Sequence, residues 1–389
     1  MNRMFKTGRV FLLILSYIIS ASHSFSQEKS SPFSFNGYLV TMESAIFDSL
    51  SGPVLFDNVL HNRLNFKYYV QDHITLAAEF RNRLFTGDMA RMGNAYSEMI
   101  DADEGIADLS WNIIEKNSFF LNTTIDRLYA DFNFKKFQAR IGRQRINWGQ
   151  ALVWNPNDIF NAYSFFDIDY IERPGSDAVR LQYYPSPSSV IELAVKGDRD
   201  NDLTAAALFR FNKWGYDIQF LTGYSNSSDL TAGAGWSGSL GPFSFRGEAT
   251  WFHPLKEFSN TTGTMILTAG VDRIFKDNSM AQVQLMYCNN PLDLNSFTRL
   301  YSGSLTAKDL AFSEFTALGQ FTWAATPLLN TGISVMWFPD LKGFFSGPSL
   351  DYSAAENIDF SLIWQHFNGE IGGVDTKMNL VYLRVKYSF

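Results

Sequence analysis

Positively charged side chains recur at every second residue in several segments of this chain, and that spacing puts them on one face of β-strands. The cations on this face are Arg63, Lys67, Arg81, Arg83, Arg127, Arg140, Arg180, Lys196, Arg210, Arg246, Arg384 and Lys386. Fewer carboxylates share it: Glu79, Asp131, Glu192, Asp217, Glu248, Asp272, Glu314 and Asp359. Because an arginine fork binds carboxylate or phosphate through two hydrogen bonds, this excess predicts a surface for anions. Each arginine has an alternative role, since it can pair with a neighbouring acid and brace a sheet.

A long connecting segment supplies the second set of candidate residues. It runs from Trp148 to Ser176, directly after the stretch RIGRQRIN, and it contains two prolines together with residue types that favour turns. Such residues restrict a loop to one defined shape. We expect this loop to narrow a pore, and its candidate constriction residues are Arg145, Trp148, Trp154, Asn155 and Asp158.

Strands must position these residues, as the segment from Lys377 to Phe389 illustrates. One face of this segment carries Val381, Leu383, Val385, Tyr387 and Phe389, and the other carries Tyr382, Arg384, Lys386 and Ser388. A strand that crosses a membrane needs about 9–11 residues, whereas a strand of a globular sheet usually has about 5–6. The segment therefore predicts a transmembrane β-strand with one face toward lipid and the other toward water.

Similar alternating segments follow one another from Phe33 onward. Tight turns, such as the one at Gln71-Asp72-His73, alternate with longer connections near residues 86–118, 148–176 and 289–313. The count is about eighteen strands, and sixteen remains possible because the segments 34–45 and 347–353 are weak. The predicted fold is all-β: a transmembrane antiparallel up-and-down β-barrel in one domain, residues 27–389, with short periplasmic turns and long outer loops.

Two arginines at the start of the long loop, Arg143 and Arg145, fall on the lipid-facing side of the alternation. An arginine at mid-depth in lipid costs about 2–4 kcal/mol, so we expect a bulge near Gly142 or emergence from the bilayer there. Two roles stay open for these arginines. They either anchor the loop through salt bridges to Asp158, Asp167 or Glu172, or they contact a solute at a constriction.

Residues 1–26 are predicted to be a cleaved export signal. Three basic residues precede the apolar stretch from Val10 to Ser20, and Ser24 and Ser26 supply small residues before the expected cleavage point. No later stretch has the eighteen or more apolar residues that indicate a transmembrane helix. Aromatic residues make up 16% of the chain, which suits strands that face lipid on one side. We therefore expect the mature chain in the outer membrane of a Gram-negative cell.

Residues for catalysis, metals or cofactors are sparse. Apart from His23 in the predicted signal, the histidines are His61, His73, His253 and His366, and no GxSxG motif occurs. We predict no enzymatic activity, no catalytic residue, no metal and no cofactor; a hydrolase at the barrel rim that uses His253 or His366 is a third alternative. Cys288 is the single cysteine, and a formal charge of −7 argues against nucleic acid as a partner.

The stretch around the long loop resembles a signature of exported barrels related to alginate-export porins and to uncharacterised porin-like families. The matching residues are Gly142, Arg143, Gln144, Arg145, Trp148, Gly149, Asn155, Pro156, Asp158, Phe160, Arg173, Pro174, Asp177 and Arg180. The terminal Phe389 is similar to the last residue of bacterial outer-membrane barrels. These resemblances imply a porin-type barrel that reaches the outer-membrane assembly machinery through its last strand.

The predicted function is a porin-like channel for passive passage of small hydrophilic, anionic solutes or sugars. Its candidate lumen residues are Lys67, Arg81, Arg83, Arg140, Arg180, Arg210, Arg246 and Arg384. The alternative is a barrel for surface-polysaccharide export or assembly, in which Trp148, Trp154, Tyr163 and Phe165 stack on sugars. Expected partners are outer-membrane lipid, lipopolysaccharide, the assembly machinery and anionic solutes or oligosaccharides. Every outward strand face looks equally apolar, so the sequence selects no face for oligomerisation.

Overall fold

The computed structural model of the chain describes residues 31–169, 172–256, 258–293 and 305–389. The predicted export signal, residues 1–26, lies outside these ranges. The strands are β1 Phe33–Phe47, β2 Leu55–Gln71, β3 Ile74–Gly87, β4 Ser110–Lys116, β5 Phe119–Phe134, β6 Phe137–Gln144, β7 Ser176–Ser186, β8 Ser189–Gly197, β9 Leu203–Lys213, β10 Tyr216–Ser225, β11 Asp229–Leu240, β12 Phe243–Pro254, β13 Thr264–Ile274, β14 Met280–Cys288, β15 Phe315–Thr326, β16 Leu329–Phe338, β17 Gly343–Ala355, β18 Ile358–Ile371 and β19 Val374–Ser388.

The short helices are α1 Asp88–Arg91 and α2 Asn94–Asp101, and a 3-10 turn spans Ala307–Asp309. Both helices lie between β3 and β4. No helix within the described ranges is long and apolar enough to cross a membrane.

The strands form one antiparallel sheet that closes on itself. Each barrel strand pairs with its neighbour in chain order, and β19 pairs with β1 from Tyr38 opposite Ser388 to Phe47 opposite Asn379. The short strand β4 pairs with residues 119–124 of β5. Strand β6 pairs with the same edge of β5 further along the chain, at residues 128–134. The closed wall therefore has eighteen strands, and the predicted transmembrane antiparallel barrel is confirmed.

Alternation along the strands separates the two faces of the wall. Leucines, valines and aromatic rings are exposed on the outer face, whereas Arg63, Arg81 and Arg83 are buried on the inner face of β2 and β3. At the end of the barrel with the tight turns, rings such as Trp214 and Trp323 project outward. This arrangement is the aromatic girdle expected of a barrel that meets a membrane interface.

Two strands that the sequence presents only weakly are complete. β1 and β17 pair with neighbours on both sides, in place of the weak segments 34–45 and 347–353. The pattern of β1 is blurred because its inner face is also apolar, with Tyr38, Val40 and Met42 buried. In β17 the ladder to β18 is interrupted at Gly347 and Pro348, where proline has no N–H to donate.

The wall is not equally tall all round. Strands β1, β2, β3 and β5 contain 15, 17, 14 and 16 residues. Strands β6 and β14, by contrast, contain 8 and 9 residues. On the tall side, helices α1 and α2 fold over the mouth, and Tyr96 and Ile100 pack on an apolar inner cluster that includes Val59, Phe85 and Phe120.

Candidate functional site

The long loop after β6 lies inside the barrel. We call residues 145–169 and 172–175 the crossing loop. Its residues Ile146, Trp148 and Phe160 are buried in an apolar cluster with inward-facing side chains of β7 to β18. Leu310, Ala311 and Phe312, from the connection before β15, pack in the same cluster. The lumen therefore contains a packed core rather than a loose plug.

A single carboxylate of the barrel wall fixes the first part of the crossing loop. Oε1 of Glu248, on β12, accepts a hydrogen bond from the backbone N–H of Ala151 at 2.8 Å and another from that of Gln150. Its Oε2 accepts one from the N–H of Asn157 at 2.9 Å. The Glu248 side chain is buried, so three otherwise orphaned loop donors are satisfied by one charged acceptor.

Three further wall residues hold the loop at neighbouring positions. Gln219 on β10 donates from Nε2 to the carbonyl of Trp148 at 2.7 Å. Gln284 on β14 accepts from the N–H of Val153 at 3.1 Å and donates to the carbonyl of Trp154 at 3.1 Å. The indole Nε1 of Trp148 donates to Glu192 on β8 at 2.6 Å. We call Glu192, Gln219, Glu248 and Gln284 the clamp; they lie on every second strand from β8 to β14.

The far part of the crossing loop contacts the opposite wall. Gln365 on β18 donates to the carbonyl of Phe166 at 3.1 Å, and the Phe166 ring meets Phe345 of β17 edge-on. Near the loop's end, Nδ1 of His61 on β2 lies 3.3 Å from Oδ1 of Asp169. The loop thus reaches from the β8–β14 wall to the β17, β18 and β2 walls, which narrows the lumen.

The predicted constriction residues are brought together, but most are buried. Trp148 and Trp154 are 1% and 6% exposed, and the Trp148 ring packs edge-on against Phe160. Asn155 and Asp158 are also buried and line a small cavity with Tyr163. In this conformation the two indoles are part of the core and cannot stack on a solute.

Asp158 is the titratable group at the centre of this region. Its Oδ1 accepts a hydrogen bond from the N–H of Trp148 at 3.3 Å. Burial raises the pKa of Asp158 to about 7, and the charges of Arg145 and Arg173 only partly oppose this effect. Among the described residues Arg145 forms no ion pair with Asp158, so the anchoring role that the sequence left open for Arg145 stays a prediction.

Arg143 has different partners from those expected. Its guanidinium donates to Asp177 at 2.7 Å and to Asp103 at 2.5 Å, rather than to Asp158, Asp167 or Glu172. Gly142 has a φ of 114°, but the pairing of β6 with β5 and β7 continues through Arg143 without a register shift, so the expected bulge is not formed there. Arg143 thus ties β7 to the segment after α2, a contact that sequence spacing could not reveal.

The arginines in the upper lumen, toward the long loops, bond to acceptor side chains on neighbouring strands. Arg63 donates to Glu79 at 2.5 Å and to Asp126, and Nε of Arg81 lies 3.6 Å from Asp126. Arg83 donates to Asn122 at 3.2 Å. For these residues the geometry matches the alternative of a cross-strand ladder, because the buried guanidinium groups are held by wall acceptors.

The cations in the lower lumen, toward the tight turns, are more exposed. Two of them have carboxylate partners: Arg140 pairs with Asp131 at 2.5 Å and Arg246 with Asp272 at 3.2 Å. Arg210 donates to Gln219 at 3.0 Å.

Within the part of the chain that the structure describes, Lys67, Arg180 and Arg384 form no ion pair. These three residues lie on β2, β7 and β19, so they approach the lumen from different sides. The charge of these three residues is therefore not neutralised by a direct ion pair, although among the described residues the inward Asp217, Asp351 and Asp359 likewise form none.

Sequence reasoning missed the clamp. It placed Glu192 and Glu248 on the inner face only as acids and did not single out Gln219 or Gln284. The available signal was the recurrence of long amide and carboxylate side chains at inward positions of alternate strands. Without knowledge of where the loop runs, that signal could not be separated from ordinary lumen polarity.

The two histidines proposed for a rim hydrolase are engaged elsewhere. The ring nitrogens of His253 lie 3.0 and 3.1 Å from the carbonyl oxygens of Pro254 and Thr261. Nδ1 of His366 lies 2.8 Å from Oδ1 of Asn379. In the described ranges neither ring contacts a hydroxyl or a carboxylate, so no nucleophile and base are brought together there.

Comparison with known proteins identifies the fold. No protein-family model and no curated protein matches the sequence. Among solved structures, the chain is similar to OccAB3 of Acinetobacter baumannii, with a TM-score of 0.61, 10% identity and coverage of 91% of this chain and 99% of that one. It is also similar to the outer membrane protein OprD of Pseudomonas aeruginosa, with a TM-score of 0.60, 8% identity and coverage of 92% and 93%. The porin-type barrel is thereby confirmed, while the resemblance to alginate-export porins receives no support.

Replacing the central clamp residue is expected to release the crossing loop. Glu248→Ala leaves three loop N–H groups without acceptors, at about 1–3 kcal/mol each. We expect single-channel conductance in planar bilayers to rise and the current to become noisier. Asp351→Ala is the matched control, because Asp351 is a strand carboxylate bonded to Ser361 and not to the loop. Equal conductance in the wild type and Glu248→Ala would show that the clamp does not set the constriction.

The packing of the crossing loop is expected to depend on pH through Asp158. Because its pKa in the packed loop is raised to about 7 from an ordinary value of 3.8, packing is fully favourable below about pH 4 and is weakened progressively as pH rises from about 4 to 7. Conductance, corrected for the electrolyte, should therefore increase between about pH 4 and about pH 7 and stay constant above that. Asp158→Asn keeps an acceptor for Trp148 but cannot ionise, so its conductance should be flat over this range. A wild type that is equally flat would contradict the assignment.

Proposed function

We propose that this chain is an outer-membrane, porin-like channel for the passive passage of small hydrophilic, anionic solutes. The proposal rests on one observation: Lys67, Arg180 and Arg384 in the lower lumen have no ion-pair partner among the described residues. A surplus of fixed positive charge in a water-filled passage attracts anions and repels cations.

Several features support a location in the outer membrane. The fold is shared with proteins such as OprD, which is described as an outer membrane protein. The outer face of the wall is apolar and is bordered by aromatic rings at the turn end. The last strand closes the barrel, since Phe389 and Gly37 exchange backbone hydrogen bonds at 2.9 Å. We infer that this strand is also the part of the chain that the assembly machinery recognises.

The proposed mechanism separates selection by size from selection by charge. The crossing loop, held by the clamp, limits the size of the solute. Below it, an anion exchanges its hydration for the fork of Arg180 or Arg384 and for the ammonium group of Lys67. Because these cations are partly exposed and lie on different strands, none of them forms a deep well, and an anion can leave as well as enter.

The polysaccharide-export alternative has weaker support. It depends on aromatic loop residues that stack on sugars, and Trp148 and Trp154 are buried in the core of the loop. Sugars could reach these rings only after the loop is released from the clamp. We therefore retain oligosaccharides as possible solutes of the channel and propose no separate glycan-binding function.

Selectivity in planar bilayers tests the proposal. Under a KCl gradient the reversal potential of the wild type should report anion preference. Lys67→Gln combined with Arg384→Gln should shift it toward cation preference, because two uncompensated lumen charges are removed. Lys213→Gln together with Arg273→Gln is the matched control, since it removes the same charge from the outside of the barrel, where both side chains lie over aromatic rings. A cation-selective wild type, or equal shifts in both variants, would contradict an anion-selective lumen.

A further inference from the structure

The outer faces of β2, β3 and β5 carry a polar row that the sequence did not reveal. Asn62, Asn82 and Thr123 are register partners on these three adjacent strands. They point outward, because the residues that flank Asn82, Arg81 and Arg83, are buried in the lumen. Nδ2 of Asn82 donates to Oδ1 of Asn62 at 3.3 Å, and the Thr123 hydroxyl donates to Oδ1 of Asn82 at 2.8 Å. We call these three residues the amide row.

Apolar residues lie on both sides of the amide row. Toward the long loops, the next outward register is Leu60, Leu84 and Leu121. Toward the tight turns, it is Leu64, Phe80 and Ile125. The row therefore interrupts an apolar face and does not mark the edge of one.

A second outward polar group lies on β1 and β2. Nδ2 of Asn58 donates to Oε1 of Glu43 at 2.6 Å and is 3.3 Å from the hydroxyl of Thr41. The cluster of Trp364, His366 and Asn379 on β18 and β19 differs, because the next outward register there is polar, with Asn368 opposite Lys377. Among the described strands, only the wall of β2, β3 and β5 places amides inside an apolar outward face.

Lipid hydrocarbon cannot satisfy the hydrogen-bonding groups of the amide row. Each carboxamide has two N–H donors and an oxygen with two lone pairs. The bonds within the row, together with the one from Nδ2 of Asn62 to the carbonyl of Tyr38 at 3.2 Å, use only part of this capacity. Hydrocarbon offers no partner for the remainder, whereas polar side chains of membrane proteins hydrogen-bond across protein contacts.

We propose that the wall of β1, β2, β3 and β5 docks against the same wall of a second copy of this chain. In an isologous contact the same patch meets itself, so the amides of one row can donate to and accept from those of the other. Charge argues against lipopolysaccharide as the occupant. Within the described residues, the outward positions of these four strands include Glu43 and no lysine or arginine to pair with phosphate. The proposal rests on the barrel being embedded in a bilayer and not on the solute it conducts.

Self-association in lipid vesicles tests the contact directly. Purified, labelled full-length protein is reconstituted at increasing lipid-to-protein ratios, and energy transfer between copies is measured. Asn62→Leu combined with Asn82→Leu should lower the association constant about tenfold, as expected for the loss of two polar contacts in a membrane. Thr222→Leu is the matched control, because Thr222 is exposed on β10 between Ala207 and Ala232, away from the proposed contact. Heat-modified mobility on gels verifies that every variant has a folded barrel.

A cysteine introduced beside the row gives a second readout. Cys288 is buried, so the wild-type chain should not cross-link. Leu84→Cys leaves the amides intact and should form a disulfide-linked dimer on oxidation, whereas Thr222→Cys should not. A monomeric wild type, an association that survives loss of both amides, or lipopolysaccharide that copurifies only when the amides are present would overturn the proposal. A monomer that still conducts anions would leave the channel function intact.

Discussion

Closure of the sheet is the constraint on which the rest of this structure depends. A strand in hydrocarbon has no water to satisfy its N–H and C=O groups, so an open sheet edge is not tolerated there. The pairing of β1 with β19 removes both edges at once, from Tyr38 opposite Ser388 to Phe47 opposite Asn379. Because the wall satisfies its own backbone in this way, its inward side chains are available for other partners.

Those inward side chains form hydrogen bonds with the backbone of the crossing loop. Irregular chain inside a membrane protein must find hydrogen-bond partners, and here the wall supplies them. Glu248 alone accepts three loop N–H groups, and Gln284 both accepts from and donates to the loop. A strand residue thus determines the shape of a loop that lies about a hundred residues away in sequence. The constriction is a property of the wall as much as of the loop.

The difference between local alternation and contacts between distant segments explains how much of the structure the sequence could predict. Alternation is local, so it identified the C-terminal strand, the tight turns and the inward side of Arg81 and Arg246. It was weak for β1, because helix α2 and the mouth cluster require an apolar inner face there as well. The partners of Arg143 and the clamp are set by where distant segments meet, and no spacing along the chain encodes that. The amide row was missed for the same reason, since single asparagines become a row only through register.

The two groups of lumen cations show how burial decides whether an inward cation needs a carboxylate partner. Arg63 is 1% exposed, and a guanidinium so far from water must be neutralised where it stands, which Glu79 and Asp126 do. Lys67 lies on the same strand, two inward positions closer to the tight turn, where it is partly exposed to water, and it needs no such partner. Upper arginines therefore brace the wall around the loop, whereas Lys67, Arg180 and Arg384 in the lower lumen form no ion pair among the described residues. The channel that we propose, narrow at one level and attractive to anions at another, requires both.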